Sequence, residues 1–346
     1  MEAKVSPSIA RAKAELLAGG AVRIPQDFRL PFLPSRSTAG PGAGSTAAVF
    51  SFGETRAKKS ISRDEGDFEL SLDENGMSIL RNGEVLIAGV KIVPTVYHAP
   101  HQAFINIDSS CVMDCKFCAT PRLNDGITKN LTDQKIMSMI EDASKKDDFL
   151  SVSFTSGVPS TPAMTVKRMA GLVSATRTLL PRTSIGVEPY ATRPDEIEML
   201  RSAGADEIKL NIESFDRDIF DKVCPNRDFD IIMHMIIHAS EVFGKNRVSS
   251  NIIYGLGETD ENVLEGVSVL ANTGAVATLR ALRRNQYNIS ELERILGALV
   301  PVTADRMLHL AEEEKKILQS HGLTTLEFKT MCHLCLSCDI VPFWDV

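Results

Sequence analysis

No run of the chain approaches the roughly 18 to 20 consecutive apolar residues that a membrane-spanning helix requires. The N-terminal stretch, residues 1 to 17, mixes Lys, Arg and Glu with Ala and lacks the apolar centre of a secretion signal, so a cytoplasmic protein is expected. Positive charge is also short: the formal net charge is -7, and no Lys/Arg run with interleaved aromatic residues occurs. These absences argue against a nucleic-acid partner and against a membrane-bound role. Internal repeats are missing too, apart from an alternation of strand and helix patterns described below.

What is present is an ordinary globular composition, 43% hydrophobic and 24% charged over 346 residues, enough for one large α/β domain with additions. The 7 cysteines are unevenly spread: Cys111, Cys115 and Cys118 form one tight triplet, Cys332, Cys335 and Cys338 another, and Cys224 stands alone. Two such triplets in a chain without a secretion signal indicate metal sites rather than disulfides. The first has C-x3-C-x2-C spacing, which lets three thiolates converge on one face of a turn. Soft sulfur ligands suit an iron-sulfur cluster or zinc. Closed zinc sites take four protein ligands, and this loop offers no fourth Cys or His nearby, so one corner is left open. The second triplet, C-x2-C-x2-C, points to an auxiliary [4Fe-4S] cluster, with structural zinc or free thiols as alternatives. Its fourth ligand would come from His333, Cys224, a serine of the 35 to 37 segment, or substrate. Cys224 itself is expected to be a buried small residue, and His234 and His238 ordinary core or surface histidines on one helix.

Hydrophobic periodicity divides the chain into three parts. Residues 1 to 100 contain a short helix, a Gly/Pro-rich segment in which Ser35 to Ser45 forms either a flexible link or an anion-holding nest with Arg36, and a small antiparallel meander. The meander is signalled by Asn82-Gly83 between strand-like runs. From 101 to 300, strands at 103–107, 150–155, 183–188, 207–213, 248–254 and 275–282 alternate with helices at 132–146, 163–179, 194–203, 228–243, 260–272 and 290–298. That alternation predicts parallel strands with crossover helices, an α/β partial (β/α)6 TIM-type barrel with an N-terminal β-rich extension. Residues 301 to 346 supply a helix and a C-terminal Fe-S-binding tail.

In such barrels the functional groups collect at the C-terminal strand ends. Candidates there are Thr155 and Ser156, Glu188, Asn211 and Glu213, Gly255 and Gly257, and Arg280. A carboxylate at a strand end is costly to bury unless paired or hydrogen-bonded, so Glu188 and Glu213 are either ligand acceptors or partners of Lys209 or Arg193. Asn211 shares the strand face of Glu213. Gly255 and Gly257 permit close backbone approach, and Arg280, with Arg283 as a further candidate, is suited to clamping an anionic group in two-point fashion.

The strand leading into Cys111, Cys115 and Cys118 resembles the radical S-adenosylmethionine (SAM) superfamily. There three cysteines hold a [4Fe-4S] cluster whose fourth iron chelates SAM and cleaves it to a 5'-deoxyadenosyl radical. The resemblance implies that Phe117 lies near the adenine and that strand-end polar groups hold the SAM ribose and amino group. Many members carry Gly-Gly-Glu after the second strand; this chain has Thr155-Ser156-Gly157 and no Glu, leaving the amino-group contact to the hydroxyls of Thr155 or Ser156 or to backbone carbonyls. The segment Gly255-Leu-Gly-Glu-Thr-Asp-Glu261 resembles lipoyl synthases and biotin-synthase-like relatives. Conventional lipoyl synthases carry their auxiliary cysteines before the radical SAM loop, whereas this chain carries them after it, which resembles the archaeal two-component lipoyl synthases. The resemblance therefore implies sulfur insertion into a protein-bound octanoyl chain. It implies a ferredoxin- or flavodoxin-type reductant, an octanoylated lipoyl-carrier protein and a companion radical SAM subunit as partners. The alternatives are a cofactor-maturation or rearrangement enzyme whose second cluster gives up no sulfur, and a non-enzymatic iron-sulfur or zinc protein.

Overall fold

The computed structural model describes residues 3–32, 40–41, 43–95, 97–123 and 131–346. Ser35, Arg36 and Ser37, weighed above as an anion nest or a ligand source, lie outside the described residues. The chain opens with α1 (Pro7–Ala18), whose N-terminus is capped by Ser6 accepting from the Ile9 amide. Then come β1 (Val22–Arg23), β2 (Ala47–Phe52), β3 (Thr55–Ser62), β4 (Phe68–Asp73), β5 (Gly76–Arg81) and β6 (Glu84–Val93). The expected meander is present in the antiparallel pairs β2–β3, β4–β5 and β5–β6, but it does not stay open. β1 pairs in parallel with both β3 and β4 and, with β2–β6 pairing, closes a six-stranded barrel. Sequence patterning missed β1 and β3. β1 is two residues long, and β3 reads Thr-Arg-Ala-Lys-Lys-Ser-Ile-Ser, with Lys58 and Lys59 both buried against expectation for lysine.

The second half follows the expected alternation closely. β7 (Gln102–Asn106), β8 (Ser151–Thr155), β9 (Ser184–Glu188), β10 (Glu207–Lys209), β11 (Val248–Tyr254) and β12 (Val276–Ala281) form one open sheet in strict chain order. All its pairings are parallel. The crossovers are α2 (Asp133–Ser144), α3 (Pro162–Leu179), α4 (Pro194–Ala203), a short α5 (Arg217–Val223) that periodicity missed, α6 (Phe229–Phe243) and α7 (Asp260–Thr273). After β12 come α8 (Ile289–Leu296), α9 (Ala304–Ser320) and α10 (Met331–Cys335). Thr132 and Thr259 cap their helices as expected, accepting from the Lys135 and Asn262 amides. β11, Val-Ser-Ser-Asn-Ile-Ile-Tyr, is buried throughout, its polar residues included, as befits a parallel sheet covered on both faces.

One strand is shorter than expected. Regular pairing in β10 stops at Lys209 rather than 213, because the Ser250 hydroxyl takes the Ile212 amide at 3.0 Å in place of a ladder carbonyl. The chain rejoins β11 at Glu213, whose amide donates to the Asn251 carbonyl at 2.9 Å. Glu213 has φ +68, a left-handed conformation that costs a non-glycine residue roughly 1–2 kcal/mol.

The tail after α9 turns back under the sheet and is fastened by buried charge. Lys13 Nζ, with no exposed side-chain surface, reaches Asp345 at 2.6 Å, Thr55 Oγ1 at 2.9 Å and the Leu336 carbonyl at 2.8 Å. Glu207, at the start of β10, accepts from the amides of Lys329 (2.7 Å) and Thr330 (3.0 Å) and from the Thr330 hydroxyl (2.5 Å). Gly186 in β9 makes room: a Cβ there would lie 2.3 Å from Thr330 Oγ1.

Replacing Lys13 with Met leaves Asp345 buried and unpaired and is expected to cost about 3–5 kcal/mol in urea unfolding. Adding Asp345→Leu should recover most of the loss; a double variant no more stable than the single would show that the pair does not fasten the tail. Glu314 in α9 is buried, and among the described residues neither carboxylate oxygen has a hydrogen-bond partner. Burial, then the nearby Asp339, holds its carboxyl well above the ordinary 4.5, so the folded state keeps a proton that the unfolded chain releases. Its effect is therefore a loss of stability as pH rises past that ordinary value. Glu314→Gln should raise the unfolding midpoint at neutral pH and flatten its pH dependence between about pH 5 and 8, and an unchanged slope would contradict this assignment.

Candidate active site

The loop after β7 carries Cys111, Cys115 and Cys118, and its shape is set by close backbone contacts. The Gly157 amide donates to the Asp108 carbonyl at 2.7 Å and the Val112 amide to the Val158 carbonyl at 2.9 Å. Only glycine fits at 157, since a Cβ would meet the Ser110 carbonyl oxygen at 2.3 Å. Arg122 braces the same loop by donating to the carbonyls of Cys115 (2.9 Å) and Cys118 (2.6 Å) and pairing with Asp114 at 2.8 Å. From the far side, the Lys116 amide donates to the Val223 carbonyl at 2.8 Å, and the Cys224 thiol neighbours that of Cys115. Cys224 is buried, as expected, and its thiol is pushed far up by that contact and by burial.

The loop opens on a cavity of about 630 Å³. Cys111, Cys115, Cys118, Phe117, Thr155, Ser156, Glu188, Asn211, Glu213 and Arg280 all line it. So do Cys332, Cys335 and Cys338. The first triad follows the C-terminal end of β7. The tail bearing the second is tied to two strand beginnings, where Gln102, the first residue of β7, donates to the Met331 carbonyl at 3.1 Å and Glu207 opens β10, and also to the far end of β12, where Arg280 and Arg283 lie 3.1 and 3.6 Å from Asp339. Both triads thus line one cavity of a single parallel sheet. Apolar side chains including Val49, Phe104, Ile105, Met113, Ile253 and Leu282 line the same cavity.

Gly255 and Gly257 are not among the lining residues. Their turn is held from within: Glu258 accepts from the amides of Gly255 (2.7 Å) and Leu256 (2.9 Å) and pairs with Arg306 at 2.9 Å. The close approach at Gly255 is to Val302, whose Cγ2 would lie 2.7 Å from an added Cβ.

The carboxylates have found partners, one of which the sequence did not indicate. Glu213 is paired at 3.1 Å with Arg227, which also stacks over the Tyr190 ring at 5.0 Å. Burial still pushes the Glu213 carboxyl upward, with Arg227 opposing the shift. Glu188 accepts from Asn211 Nδ2 at 2.7 Å and stands 3.9 Å from Lys209. Arg193 belongs to neither, binding Asp195 instead. Arg280 pairs with Asp339 at 3.1 Å, and Arg283 lies 3.6 Å from the same carboxylate. Arg227, Asp339 and Lys58 are lining residues without any motif to mark them; Lys58 comes from the small barrel. His234 is exposed, and His238 lies 3.4 Å from Glu198 and 3.6 Å from Glu241.

Among the described residues, no group of three or more His, Cys, Asp or Glu side chains that could hold a metal ion is assembled. One zinc ion needs every sulfur about 2.3 Å away. A cubane gives each thiolate its own iron, so its ligands belong spread around a wall. Three thiols on one cavity wall with an open side fit such a cluster better than closed zinc. Burial pushes the Cys118 and Cys338 thiols up to about 11, and raises Cys335 as well. His333, between Cys332 and Cys335, is held down to about 3 by burial and hydrogen-bonds through Nε2 to Thr278 at 3.0 Å.

Comparison with known proteins agrees with this geometry. Residues 105–268 match the radical SAM superfamily model, so this part of the chain is a radical SAM domain. A search of curated protein sequences returns no match. Among solved structures, methylornithine synthase superposes with a TM-score of 0.50 at 18% identity, covering 64% of this chain and 69% of that one. The FeFe-hydrogenase maturase HydG from Carboxydothermus hydrogenoformans gives 0.54 at 13% identity, over 64% of this chain and 52% of the maturase. The chain thus spans about half the length of the maturase, and at these identities the likeness is one of fold.

Because ligation requires thiolates and two of these thiols sit near 11, iron and sulfide loading should release protons and grow more favourable as pH rises. Anaerobic reconstitution followed by iron analysis between about pH 7 and 9 checks this. Loading that falls with rising pH would contradict ligation through these thiols.

Proposed function

We propose that the radical SAM domain over residues 105–268 belongs to an enzyme acting on an aliphatic C–H bond held between two thiol-ligated clusters. The observation that carries this is the placement of both cysteine triads on one mostly apolar cavity. With SAM and an electron from a ferredoxin- or flavodoxin-type protein, a [4Fe-4S] cluster on Cys111, Cys115 and Cys118 supplies the 5'-deoxyadenosyl radical for hydrogen abstraction. Cys332, Cys335 and Cys338 would hold an auxiliary [4Fe-4S] cluster, which would supply sulfur to that carbon. The reaction class is sulfur insertion, with a protein-bound octanoyl chain as substrate and a companion radical SAM subunit sharing the work.

The chain's own residues bind, orient and exclude. Glu188, Asn211 and Glu213 present polar groups along one strand-end line, where they hold the ribose and amino group of SAM. Thr155 and Ser156 stand in for the acidic residue missing after β8. Phe117, beside Cys118, offers a flat apolar surface to the adenine. Phe104, Ile105, Ile253 and Leu282 give an alkyl chain an environment without hydrogen-bonding demands and keep water from the reacting carbon. Arg227 holds Glu213 in place, so that carboxylate is oriented before any ligand arrives.

Anaerobically reconstituted protein given SAM and a reductant should form 5'-deoxyadenosine, and Cys115→Ala should abolish it; cleavage retained in that variant would remove the first cluster assignment. With an octanoylated carrier peptide, mass spectrometry should show a thiolated product. Cys335→Ala should leave deoxyadenosine formation intact while stopping thiolation. Undiminished thiolation in Cys335→Ala would make the tail triad structural. Turnover that leaves the peptide unthiolated and the second cluster intact would favour a radical enzyme of another class.

A further inference from the structure

The three thiols of the tail triad are not equivalent in their surroundings. Cys335 donates to Ser337 Oγ at 3.2 Å, a neutral neighbour. Cys332 Sγ instead accepts from two cations: Arg280 Nη2 at 2.7 Å and Lys209 Nζ at 3.1 Å. These come from β12 and β10, on either side of β11, so their convergence on one sulfur is a property of the sheet. The guanidinium is fixed from two further directions, with Nε donating to Asn251 Oδ1 at 2.9 Å and Nη1 at 3.1 Å from Asp339. Lys209 is 1% exposed, and its nearest carboxylate oxygen, on Glu188, lies at 3.9 Å, beyond hydrogen-bond reach. That oxygen is already engaged by Asn211. A buried ammonium requires an acceptor, and the Cys332 sulfur provides one.

Resting on the assignment of an auxiliary cluster to the tail triad, we propose that Arg280 and Lys209 are positioning residues that set its reduction potential through charged N–H···S bonds to Cys332. Hydrogen bonds to sulfur and positive charge nearby both favour the reduced, more negative state of an iron-sulfur cluster. Two such donors on one of three ligands raise the potential and also single out the iron that Cys332 binds. Sulfur insertion joins the carbon radical to a sulfide and leaves one electron on iron, so a seat that welcomes an added electron favours the bond-forming step. The same bonds hold Cys332 in its ligand orientation, whichever substrate the cavity takes.

The test uses the full chain carrying Cys115→Ala, so that the tail triad holds the remaining cluster, and reads its midpoint potential by a titration followed with electron paramagnetic resonance. Arg280→Gln and Lys209→Met should each shift the midpoint to lower potential, the two together further. Arg280→Lys, which keeps the charge and one donor, should shift it less. Iron content serves as the folding control for every variant. Iron bound in full with an unmoved midpoint in both Arg280→Gln and Lys209→Met would overturn the proposal while leaving the auxiliary cluster standing. Absence of iron in the Cys115→Ala protein itself would instead overturn the cluster assignment, and this proposal with it.

Discussion

The tail after α9 can bring thiols against a parallel sheet only if the polar groups it carries inward are matched there. Lys13 and Asp345 meet that constraint at one end of the tail, and Glu207 with the amides of Lys329 and Thr330 at the other. Buried pairs of this kind contribute little net stability compared with apolar packing, but a broken one is costly, so they select one placement of the tail over its alternatives. The helix that supplies Lys13 lies at the opposite end of the chain. Closing the small N-terminal barrel, docking the tail and completing the cavity are therefore parts of one arrangement. Lys58, contributed by that barrel, lines the same cavity as the cysteines and donates its amide to the Ser337 carbonyl at 2.6 Å.

The polar groups of the cavity come in matched sets. Glu213 is paired with Arg227, and Glu188, which accepts from Asn211, stands 3.9 Å from the Lys209 that reaches the second triad. Near the second, cations from two strands point at a sulfur. Apolar side chains make up much of the remaining lining.

Much of this was legible in the sequence, because the parallel sheet leaves a strong trace. Strand-like segments alternate with helical ones at regular spacing, helices begin at Thr132 and Thr259, and the cysteine spacings mark both triads before any coordinate is known. What escaped has physical reasons. β3 hides behind two lysines whose burial depends on contacts made by distant segments, and β1 is too short to show a period. Glycines 255 and 257 signalled a close approach that turned out to involve Val302 and Glu258, a local lock rather than a cavity wall. Arg227 and Asp339 carry no motif at all, since an ion pair formed across the fold leaves no spacing rule in either partner. Arg280 was marked as an anion clamp; its partners are a carboxylate and a thiol of the tail, some fifty to sixty residues further along the chain.

The central claim is that two three-thiolate clusters share one chamber. Anomalous diffraction at the iron absorption edge, from crystals of anaerobically reconstituted protein, tests it most directly. Two separate iron peaks within the cavity are predicted, one against Cys111, Cys115 and Cys118 and the other against Cys332, Cys335 and Cys338. A single iron peak, or tail sulfurs turned away from the chamber with no iron beside them, would contradict the account.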